Sequence, residues 1–98
     1  SLIAQRVMRE RKLHVHFGFP CVWQERHPHN LLKDISAEMW GMQHIVAFAN
    51  LLNETPLPGK SVLDDVRWLY GVFQHVPWIP AGVSELGLAW CGDMETVL

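Results

Sequence analysis

Between Leu32 and Ala49, apolar side chains recur at steps of three, four, three, four and three residues: Leu32, Ile35, Met39, Met42, Val46 and Ala49. An α-helix returns to the same side every three to four positions, so this row predicts one face of a helix. A second row, Val62, Val66, Leu69, Phe73 and Val76, runs in steps of four, three, four and three. The link between them, ETPLPGK at residues 54–60, holds two prolines and a glycine, which stop one helix and let the chain turn. Two helices joined so shortly predict an antiparallel helical hairpin, with a core over about residues 31–76.

Start and stop signals agree with this reading. Asn30 and Ser36 each offer a side-chain oxygen that can cap the first helix, Ser61 caps the second, and Pro77 ends it. The opening segment, Leu2 to Arg11, supports only a short helix. Leu13, Val15, Phe17 and Phe19 alternate with His14, His16 and Gly18, the period of two that a half-buried strand produces. Leu86, Leu88 and Trp90 alternate with Gly87, Ala89 and Cys91 in the same way. The predicted fold is therefore α+β, a two-helix antiparallel hairpin with a short two-stranded sheet. The alternative is a small all-α bundle. The 98 residues suit a single domain, 1–98.

Hydrophobic residues make up 49% of the chain and charged ones 18%, which places it among globular proteins and not disordered ones. Residues 1–50 carry a net charge of +2 and residues 51–98 one of −4, for a total of −2. That balance does not suit a nucleic-acid or membrane-surface protein. The longest nearly uncharged stretch, Trp68 to Ser84, is too short and too broken by proline to span a membrane. A soluble protein without a targeting signal is expected.

Each predicted helix carries a second row. On the first it is Ala37, Gly41, His44, Phe48 and Leu51; on the second, Asp64, Trp68, Gly71 and His75. Gly41 and Gly71 cost helix stability, so another backbone is expected to approach them closely. Trp68 is a large amphipathic side chain of the kind that anchors interfaces. Trp68, Gly71, His75 and Gly41 are thus the candidate interface. The reading that follows is a non-enzymatic interaction or self-assembly module whose partner is itself or another protein.

Six histidines stand out, four of them in the pairs His14/His16 and His27/His29. On a strand such a pair presents two imidazoles on one face, about 7 Å apart. Zn or Ni is the ion these four residues would hold if they converged, which makes a His-rich metal-binding domain the alternative function. No cofactor is required by the sequence. His44 and His75 are not expected to share a site. Gly59-Lys60-Ser61 matches the end of a phosphate-cradling loop, yet Glu54 stands where the first glycine belongs, and Pro56 and Pro58 remove amides the cradle needs. Cys21 and Cys91 have no basic neighbour to activate a thiolate. No catalytic set is defined by spacing, so a small enzyme or ligand-pocket protein ranks third.

Overall fold

The computed structural model describes residues 1–98, which form four helices and no strand: α1 (Leu2–Glu10), α2 (Leu31–Glu54), α3 (Val62–Phe73) and α4 (Ala81–Val97). The all-α alternative fits and the two-stranded sheet does not. Residues 13–19 are exposed and lie outside any helix or strand, because no neighbouring strand pairs with their alternating pattern. Residues 86–91 fall in the middle of α4.

Small side chains explain α4. Its buried residues are Ser84, Gly87 and Cys91, at helical spacing, while Leu86 and Trp90 point outward. A face this flat lets α4 lie close on α3, and these two helices make the most extensive contact in the molecule. The ring of Tyr70 occupies the place where a Cβ on Gly87 would be. The backbone approach expected at Gly41 and Gly71 is not found, since a Cβ at either would meet only open space, and the close contact at Gly87 is made by a side chain. Arg67 on α3 pairs with Glu95 near the end of α4.

The caps form as the sequence predicts. The Asn30 side chain accepts from the Lys33 amide at 3.2 Å and the Ser61 hydroxyl from the Asp64 amide at 3.0 Å. Asp64 and Asp65 occupy the first turn of α3, where the helix dipole favours carboxylates. Phe73, Leu69, Leu52, Val7 and Ile79 form the core.

Helix α1 lies across α2 and α3 and is held by two arginines. Arg6, buried, donates from Nε to the Leu52 carbonyl at 2.7 Å and from Nη2 to the Thr55 carbonyl at 2.9 Å. These bonds satisfy carbonyls that the end of α2 leaves free. Arg11 pairs with Asp65, which is wholly buried and also accepts from the Gly59 amide at 2.8 Å. Gly59 has φ +73°, a left-handed value that glycine adopts without steric cost.

The hairpin expectation is corrected at α2. The row Leu32, Ile35, Met39, Met42 and Val46 does not pack on α3 but faces solvent, and only the last turns of α2 reach the core. The row facing the body is the other one, with His44, Phe48 and Leu51 partly covered. Both faces of α2 are apolar, so periodicity alone did not distinguish them. The resulting shape is open: the radius of gyration is 16.1 Å, against about 13 Å for a compact chain of this length.

Candidate interaction surface

The inner face of α2 is fixed by aromatic contacts. Phe48 meets Phe73 with ring centroids 5.3 Å apart and Trp78 at 6.4 Å. One turn earlier, His44 is stacked between Trp40 at 4.6 Å and Trp78 at 5.4 Å. The His44 Nδ1–H donates to the Trp40 carbonyl at 2.8 Å. Trp40 and His44, with Phe48, Ile79 and Val83, line an apolar hollow of about 300 Å³.

The outer face has no cover. Leu31, Leu32, Ile35, Met39, Met42 and Val46 are between 44% and 80% exposed. From Met39 to Asn53 the helix carries no Asp, Glu, Lys or Arg. A helix apolar on both faces belongs in an interior, and here one face has none. The accessible surface is 8058 Å², against about 5,700 Å² for a compact monomer of 11.3 kDa. The excess is roughly 2,300 Å². It comes from this face and from the extended segment before it, where Phe17 and Phe19 are 91% and 98% exposed.

The candidate interface residues divide between two surfaces. Trp68, Gly71 and His75 share a shallow groove of about 600 Å³ on α3 with Lys60, Asp64 and Arg67. Gly41 lies on α2, in the hollow with Trp40 and His44. The sequence pattern places the outer row of α2 in a core and not on a surface; the signal that marks it is the absence of charge over residues 39–53 on both helix faces.

His14, His16, His27 and His29 all lie in the exposed segment between α1 and α2. Nowhere do three His, Cys, Asp or Glu side chains gather in a group able to hold a metal ion. His29 instead stands 3.4 Å from the Asp34 carboxylate. His44 and His75 line different cavities. Cys21 is exposed and Cys91 buried, and both are free. Burial pushes the Cys91 thiol up from its ordinary value, and Glu95 adds to this while Arg67 opposes it. The Tyr70 hydroxyl is raised first by burial and then by Cys91. Neither shift favours a nucleophile. No helix is long and apolar enough to cross a membrane. No family model, curated protein or solved structure matches the chain.

Proposed function

We propose that the chain is a non-enzymatic self-assembly module that works by burying the outer row of α2 against another polypeptide. The observation that supports this is the exposed apolar row of Leu32, Ile35, Met39, Met42 and Val46 on a helix whose last turns already pack into the core on their other side. Exposed apolar patches of this extent mark association surfaces. Covering this face removes part of the surplus surface, the rest of which lies in the extended segment before α2. Metal binding by the paired histidines has no comparable support.

Methionine oxidation tests the reading. Met39 and Met42 both lie on the outer row, and an exposed thioether is oxidised readily by peroxide. At assembling concentrations both are expected to resist oxidation, and on dilution both are expected to become reactive. Protection that persists unchanged in a species of 11.3 kDa would mean that the chain covers this face itself, and the reading would be wrong.

A further inference from the structure

Leu32, Ile35, Met39, Met42, Val46 and Ala49 are separated by steps that read three, four, three, four, three from either end. A row with that symmetry superposes on itself when turned end for end about a point midway between Met39 and Met42. We infer that a second copy of this chain covers the row, its α2 lying antiparallel on the first, an inference that rests on the row being an interface. Met39 of one copy then faces Met42 of the other, Ile35 faces Val46, and Leu32 faces Ala49. Each contact occurs twice about a two-fold axis, the commonest symmetry of soluble oligomers. Steps of three and four are those with which side chains of paired helices interlock.

Three features of the molecule favour this pairing over a parallel one. Size is the first: Leu32 meets Ala49, the smallest member of the row. Beside Ala49 an open groove of about 420 Å³, lined by Leu2, Leu13 and Val15 as well as by Arg9 and Asn53, leaves room for the incoming leucine. Charge is the second. Lys33, Asp34 and Glu38 are the charged residues of α2 before Glu54, and all lie near its start. A parallel arrangement brings each of them level with its own copy, whereas the antiparallel one carries them to opposite ends of the pair, level with the uncharged stretch that follows Met39. The third is that antiparallel helices oppose their macrodipoles. Pairing on this row removes part of the excess of roughly 2,300 Å² over a compact monomer, the rest lying in the extended segment before α2.

The test uses single cysteines in the full chain. Cys21→Ser removes the exposed thiol, and the buried Cys91 is kept. Ile35→Cys and Val46→Cys are made separately in that background, with helicity checked by circular dichroism. Under mild oxidation, a mixture of the two variants is expected to give a disulfide-linked dimer containing one of each, and neither variant alone is expected to crosslink. Crosslinking of each variant with itself would overturn the antiparallel arrangement. A chain that stays at 11.3 kDa without crosslinks, or that remains monomeric and binds anionic phospholipid vesicles instead, would overturn self-pairing altogether. In those cases peroxide separates the two levels of the argument. Rapid oxidation of Met39 and Met42 leaves the face open to a different partner, while protection rejects the interface reading as well.

Discussion

Val46 and Phe48 are two residues apart on α2, and the helix turns about 200° between them. Phe48 packs against Phe73 in the core, whereas Val46 is 69% exposed. One helix thus presents an apolar side chain to the core and another, almost directly opposite, to water. Burial on one side anchors α2 to the body, and exposure on the other leaves a face that association can cover.

Stability is therefore expected to separate the two faces. Phe73→Ala should cost about 3–5 kcal/mol, because a wholly buried ring leaves a cavity. Ile35→Ala and Met39→Ala, measured on the monomer, should each change stability by about 0.5 kcal/mol or less. Urea midpoints of the three variants at low concentration check this. Losses of several kcal/mol at Ile35 and Met39 would restore them to a core.

Gly87 and Gly92 should respond in opposite directions. Gly92→Ala meets open space and is expected to stabilise α4 by up to about 1 kcal/mol. Gly87→Ala pushes into the Tyr70 ring and is expected to destabilise by about 1–3 kcal/mol, a loss that Tyr70→Ala in the same chain should reduce. Denaturation of the two single variants and the double variant gives the comparison directly.

Several elements were legible in the sequence and others were not, for reasons that particular residues make plain. Helix α1, the row of α3 and the caps at Asn30 and Ser61 depend on neighbours within one or two turns, so local pattern sufficed. Helix α4 was hidden because its buried face is Ser84, Gly87 and Cys91, small residues that do not register as an apolar row. The two rows of α2 are both apolar, and which one faces inward is decided by Phe73 and Trp78, remote in sequence. For the same reason the clamps from Arg6 to Leu52 and from Arg11 to Asp65 leave no local trace.

The Arg11 to Asp65 pair should be costly to break from one side. Arg11→Met leaves the Asp65 carboxylate buried with only the Gly59 amide as a partner, and a loss of about 3–5 kcal/mol is expected. Adding Asp65→Leu should cost less than the sum of the two single changes. A double-mutant cycle from chemical denaturation measures this coupling.

Alkaline pH should weaken the fold. In the folded chain the Cys91 thiol and the Tyr70 hydroxyl both have raised pKa values, chiefly through burial. Their neutral forms are favoured by folding, so the contribution is fully present below the unfolded-state values, near 9 for the thiol and 10 for the phenol. It is lost as pH rises through the higher folded values. Urea midpoints should hold steady from pH 7 to about 8.5 and fall above that, and Cys91→Ala should move the onset of the fall upward.

Sedimentation velocity at micromolar concentration, comparing the unsubstituted chain with Val46→Glu and Trp68→Glu, tests the central claim most directly. The unsubstituted chain and Trp68→Glu are expected to sediment as a species of twice 11.3 kDa, and Val46→Glu as a folded monomer, since only Val46 lies on the outer row of α2. An unsubstituted chain that sediments at 11.3 kDa, or a dimer that survives Val46→Glu and dissociates with Trp68→Glu, would contradict it.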